Sequence, residues 1–167
     1  FQTKLWDPFQ HPQYRHAPGY YEGNENCGYR FSHNFSPQLV ASKGDQPGAT
    51  VHDLNVTNSF GIRDVEPSSD PKQENILIVG DSMTYGSALK HIEDTWPRVL
   101  NRILGENGRH HLVNAGVPGY NTFQETCLLD SLLEEFSHSS SRMPKTVILT
   151  YFARHWERDR FGKPGMT

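Results

Sequence analysis

Apolar positions are spread unevenly along the 167 residues, and the two halves of the chain differ in character. Up to about residue 50, the stretch "FQHPQYRHAPGYYEGNENCGYRF" and its flanks show neither a two-residue nor a 3.6-residue period. The segment is too aromatic for typical disorder. It predicts an irregular arm that packs Trp6, Tyr20, Tyr21 and Tyr29 against a larger body. "ATVHDLNVTNSFGIRD" (49–64) carries a short alternation, Val51, Leu54 and Val56, and then a turn at Asn58-Ser59. "VEPSSDPKQEN" (65–75) is polar and Pro-containing. The chain is therefore divided into an arm with its linker, 1–74, and a core domain, 75–167.

From residue 76 the pattern becomes regular. "ILIV" (76–79) is a continuous apolar run followed by Gly, the mark of a fully buried parallel strand. "EDTWPRVLNRILGENG" (93–108) puts Trp96, Val99, Leu100, Ile103 and Leu104 on one helical stripe, with Thr95 or Asp94 as cap and Pro97 in the first turn. "HHLVNAG" (110–116) is a second strand and "VPGYN" (117–121) the loop after it. "TFQETCLLDSLLEEF" (122–136) is a second helix, with Thr122 and Glu125 as capping box and Phe123, Cys127, Leu128, Leu132 and Phe136 as its buried face. "KTVILTYF" (145–152) is a third buried strand. Alternation of strand and helix predicts a right-handed parallel α/β sheet covered on both faces.

Composition narrows the classes of function. The formal charge is −3, from 16 basic and 19 acidic residues, and no basic tract stands out, so a nucleic-acid footprint is absent. No apolar run approaches the roughly 18–20 residues of a membrane span. The chain opens at Phe1 without a signal-peptide pattern, which reads as a processed product or a piece of a longer one. Cys27 and Cys127 form no CxxC and no zinc spacing. The plainer reading is two unpaired thiols; the other is a long-range disulfide in a secreted protein. The sequons at Asn34 and Asn55 permit an extracytoplasmic, glycosylated setting, which is the favoured localisation. His110 and His111 begin a strand and face opposite ways, while His11, His16 and His33 lack helical register, so no metal site and no cofactor are expected.

In open α/β sheets the carboxyl ends of the strands carry the ligand site. Gly80-Asp81-Ser82, Asn114 to Asn121 and Ala153 to Asp159 would all meet there. A hydrolytic serine needs an exposed Oγ on a sharp strand-to-helix turn, with the amides of the next helical turn aimed at the developing oxyanion. The alternative is that Ser82 or Thr84 merely caps the helix. Thr84 stands where the GxSxG elbow has its second Gly, so that motif is not met. Asp-x-Asp phosphatases are excluded by Met83, and P-loop and GxGxxG signatures are absent.

"LIVGDSMTYG" resembles the first signature block of the SGNH, or GDSL-type, hydrolases, "NAGVPGYNT" resembles their second, and "NSFGIRD" (58–64) resembles a segment that often precedes the core in bacterial members. The resemblance spans roughly 55–160 and implies an α/β fold, a three-layer α/β/α flavodoxin-like sandwich with a parallel sheet. It implies Ser82 as nucleophile, with the amides of Ser82 and Gly119 in the oxyanion hole. Asp81 would orient the turn through backbone hydrogen bonds. The activity implied is hydrolysis or transfer of a small acyl ester, with O-acetylated carbohydrate as one substrate class.

Two departures are plain. Where the third block places Asn, "VILTYFARHWERD" has Arg154 and His155; Arg154 is a replacement donor and His155 a local candidate base. No Asp-x-x-His occurs, and at least one more strand–helix unit is expected beyond Thr167. The competing expectation is an inactive relative, a carbohydrate-binding or assembly module that uses the aromatic arm.

Overall fold

The computed structural model describes residues 19–36, 56–87, 89, 91–105 and 108–151. Trp6, Val51, Leu54, Arg154 and His155 lie outside the described residues. The fold is mixed α/β around a parallel three-stranded sheet. Strand β3 is Glu74–Gly80, β4 is His110–Gly116 and β5 is Thr146–Leu149, in the order β4-β3-β5. The β-branched and aliphatic runs form these strands as expected, and β3 takes the centre. Its Leu77, Ile78 and Val79 are fully buried, as a strand with a neighbour on each side requires. The register runs Ile76 beside Leu112 through Gly80 beside Gly116. On the other side Val79 pairs with Leu149.

Helix α1, Ser82–Tyr85, is a single turn directly after β3. Helix α2, Trp96–Gly105, packs along β4, and α3, Thr122–Ser137, packs against β3. The α3 cap sits one residue earlier than expected: Asn121 accepts from the Gln124 amide at 3.0 Å, and Gln124 answers to the Asn121 amide. Leu128, Leu132 and Phe136 are buried as expected, but Phe123 is 59 % exposed. Its place on the inner face goes to Gln124 and Glu125.

The apolar stripe of α2 also lies outward. Trp96, Val99, Ile103 and Leu104 are exposed, while Thr95, Pro97 and Arg98 are buried. Arg98 faces in because a buried carboxylate, Asp64, stands 3.5 Å away. An inward charge pair rotates the helix away from the orientation its apolar residues predict. Strand β5 is likewise exposed over its length, contrary to the expected buried strand.

The arm is not wholly irregular. Strands β1, Tyr21–Asn24, and β2, Gly28–Phe31, form an antiparallel hairpin. Asn24 closes its turn by accepting from the amides of Asn26 and Cys27, and Gly28 takes φ +86°, a left-handed conformation that costs glycine least. Four-residue strands give too short a pattern to be read in advance. Tyr20 and Phe31 are buried in one cluster with Leu77, Val79, Val113, Tyr120 and Leu132. The hairpin is thus part of the core.

Cys27 and Cys127 are joined in a disulfide that fastens the hairpin to α3. This corrects the expectation of two unpaired thiols: the hairpin, invisible to periodicity, brings positions 100 residues apart to a Cα separation of 5.6 Å. Arg30 adds an ion pair to Glu135 of α3 at 2.5 Å and donates to the Phe60 carbonyl at 2.9 Å. His33 joins the same group through Glu135 and Glu22, at 3.2 and 3.5 Å.

Candidate active site at the end of the central strand

Strand β3 delivers Gly80-Asp81-Ser82 to the carboxyl edge of the sheet. The turn is tight for a steric reason. A Cβ on Gly80 would stand 1.9 Å from the Thr150 hydroxyl and 2.3 Å from that of Thr84. A Cβ on Gly116, its neighbour on β4, would stand 2.3 Å from the Tyr85 amide nitrogen. Only two glycines let α1 settle onto the ends of β3 and β4.

Asp81 is the N-cap of α1, and its carboxylate accepts from the Met83 amide at 2.9 Å. The capping alternative for Ser82 and Thr84 is therefore set aside. Ser82 is the first helical residue and half-buried. Thr84 is buried and pairs its hydroxyl with that of Thr150 at 2.5 Å. The expected helix-end field is also reduced. A helix of four residues has little macrodipole, and Asp81 already occupies the Met83 amide. Any oxyanion donors here are individual amides.

The loop after β4 lies against this turn. The Val117 amide donates to the Gly80 carbonyl at 2.9 Å, so loop and turn are directly bonded. Val117-Pro118-Gly119-Tyr120 closes with the Tyr120 amide on the Val117 carbonyl at 3.3 Å. Pro in the second place and Gly in the third with φ +84° is the pattern of a type II turn. Gly119 is exposed, whereas Asn121 is buried and committed to capping α3.

Beneath the turn runs a polar framework whose connections are long-range. Asn114 is buried, donates through Nδ2 to the Thr84 carbonyl at 2.8 Å and accepts through Oδ1 from the Gly116 amide at 3.1 Å. The Asn114 amide donates to Asp64 at 2.7 Å. Arg63 donates to the Tyr85 carbonyl at 2.9 Å and lies 4.4 Å above the Tyr85 ring. The last carbonyls of α1 are thus held by Asn114 and Arg63. Burial pushes the Asp64 carboxyl up to about 6, against the opposing pull of Arg98 and two backbone amides. Desolvation wins although Arg98 is near, because the Arg98–Asp64 contact at 3.5 Å is longer than a close charge-assisted bond.

Of the expected site residues, Asp81, Ser82 and Gly119 fall on two bonded segments at one sheet edge. Arg63, Asp64 and Asn114 were not singled out for the positions they take. "NSFGIRD" (58–64) carries only a resemblance, and its Arg63 and Asp64 contact residues 22 and 50 positions ahead. Among the described residues no cluster of His, Cys, Asp and Glu could hold a metal ion, and no helix is long and apolar enough to cross a membrane. No family model matches the chain, and no curated protein matches it with significance.

Proposed function

We propose that the chain is an SGNH-type serine ester hydrolase or acyltransferase with Ser82 as nucleophile. The observation that supports this most is the β3–β4 register, which sets Gly80 beside Gly116 and bonds the GDS turn to the VPGYN loop. In this reading Ser82 Oγ attacks the acyl carbonyl and passes its proton to a general base. The amides of Ser82 and Gly119 meet the tetrahedral oxyanion, and the alcohol leaves with a proton. Water or a second alcohol then takes the acyl group from Ser82. Asp81 holds the turn through its bond to the Met83 amide.

His155 as base and Arg154 as replacement for the third-block Asn belong to the same proposal, as does the flavodoxin-like form of the sandwich. The substrate class is a small acyl ester, including O-acetyl groups on carbohydrate. The Cys27–Cys127 disulfide favours an oxidising, extracytoplasmic compartment. Against the binding-module alternative, Tyr20 of the arm is buried in the core rather than offered to a sugar ring.

Turnover of p-nitrophenyl acetate and covalent labelling by a fluorophosphonate test the proposal. Ser82→Ala is expected to lower turnover by a factor on the order of 10⁴ or more and to abolish labelling. A wild-type protein that neither turns over nor labels at Ser82 refutes it.

A further inference from the structure

A type I and a type II turn differ mainly in the orientation of the central peptide, which flips end over end between them. In Val117–Tyr120 that central peptide joins Pro118 to Gly119. Its carbonyl belongs to Pro118, and its N–H is the Gly119 amide. Among the described residues no peptide is cis, so this carbonyl and N–H point in opposite directions. Whatever fixes the carbonyl therefore fixes the aim of the N–H.

The Tyr29 hydroxyl donates to the Pro118 carbonyl at 2.7 Å. The ring that delivers it is well fixed. It meets the rings of Tyr21 and Tyr120 edge-on, with centroids 5.5 and 5.2 Å away. The Tyr120 hydroxyl donates back to the Tyr29 carbonyl, and burial raises the Tyr120 phenol so that it stays protonated. Gln124 donates to the Cys27 carbonyl at 3.0 Å, and the disulfide binds the same hairpin to α3. The loop is thereby gripped from one side by β2 and bonded to Gly80 on the other.

We propose that Tyr29 is a positioning residue: by holding the Pro118 carbonyl it keeps the Gly119 N–H turned away from the hairpin, as a donor to an acyl oxyanion on Ser82 would need. This rests on the reading of Ser82 and Gly119 as nucleophile and donor. Donation to the carbonyl also polarises the peptide and strengthens its N–H as a donor. A hairpin far from Ser82 in sequence, but packed into the same core, thus sets the quality of the oxyanion hole.

The test uses the full chain and p-nitrophenyl acetate. Tyr29→Phe keeps the ring and removes only the donor. Full loss of an oxyanion donor typically costs about 10²–10³ in kcat, and a donor left free to flip costs less, so a fall of about tenfold or more is expected. KM is expected to stay within about twofold, because the acyl oxygen gains charge only in the transition state. Ser32→Ala, which removes a hairpin bond to the Gly19 carbonyl, is expected to leave kcat unchanged. The Gly119 amide resonance provides a second readout, expected to shift or broaden in Tyr29→Phe. A Ser82 that labels normally, together with wild-type kcat in Tyr29→Phe, overturns the role of Tyr29 alone. A similar loss in Ser32→Ala overturns it too, since the effect is then general loosening of the arm. An unreactive wild type overturns the ester-transfer reading and the role of Tyr29 with it.

Discussion

Strands β4 and β5 flank the same central strand, run parallel to it and are both rich in aliphatic residues, yet one is sealed and the other open. In β4, Leu112 and Val113 are almost wholly buried, while in β5 Val147, Ile148 and Leu149 are 36 to 47 % exposed. Local sequence makes both of them strands; distant segments decide which is covered. Around β4 gather the 58–64 segment, α2 and the core cluster that takes in the arm hairpin. The candidate site sits at the β3–β4 junction, where the polar framework holds α1 in place.

Breaking the staple on the covered side is the largest perturbation. A crosslink closing about 100 residues is worth about 4–5 kcal/mol in the chain-entropy picture. Cys27→Ser with Cys127→Ser is expected to lower unfolding free energy by an amount of that order, measured in denaturant. A change below about 1 kcal/mol would show that the hairpin's packing alone secures the arm.

A pair of leucines compares the edges directly. Leu112→Ala in β4 leaves a cavity in a closed core and is expected to cost about 3–4 kcal/mol. Leu149→Ala in β5, at a position 47 % exposed, is expected to cost less than about 1 kcal/mol. Equal costs in thermal and denaturant unfolding would mean that β5 is covered in solution.

Between these two falls the titration of Asp64. Its folded value of about 6 lies above the ordinary 3.8, so between those pH values the folded protein keeps a proton that the unfolded chain releases. The contribution of Asp64 to stability is therefore greatest below about pH 4 and declines as pH rises to 6, by about 3 kcal/mol. Asp64→Asn is expected to remove that decline from the pH profile of unfolding. An unchanged slope would assign it to other groups.

The same contrast marks what was legible in the sequence. Residues 76–79 announced a strand because a continuous β-branched and aliphatic run needs no partner to be recognised, and 110–116 followed as the next strand in the alternation with helices. Their order with the helices was enough for a parallel α/β arrangement. The α3 helix was readable from Leu128, Leu132 and Phe136, and its cap was displaced by one because Thr122-Glu125 and Asn121-Gln124 both fit the box pattern. Asp81 and Ser82 were legible as a turn. The cap was expected, if anywhere, at Ser82 or Thr84 and lies at Asp81, since Asp and Ser have nearly equal preference there.

The outward turn of α2 could not be read, because Arg98 is drawn in by Asp64, 34 positions earlier and without any periodic signature. The hairpin escaped for a related reason. "YEGN" and "GYRF" are too short to show alternation, and their stability comes from α3 and the loop before it. The packing of Tyr20, Tyr21 and Tyr29 on the body was legible, but without the hairpin the choice between free thiols and a disulfide, and the bond from Tyr29 to the loop after β4, were not. Residues that act through distant partners are silent in a reading based on spacing.

The link between Cys27 and Cys127 also changes the connectivity of the molecule. It closes a covalent ring that contains β2, β3, α1, α2, β4 and the start of α3. A protease that cuts once anywhere between the two cysteines opens the ring without separating the pieces. Such a nicked molecule keeps its mass on a gel until reductant is added, then falls into two bands. Ser82 can thus stay attached to both flanking segments after a cut that would divide an uncrosslinked chain.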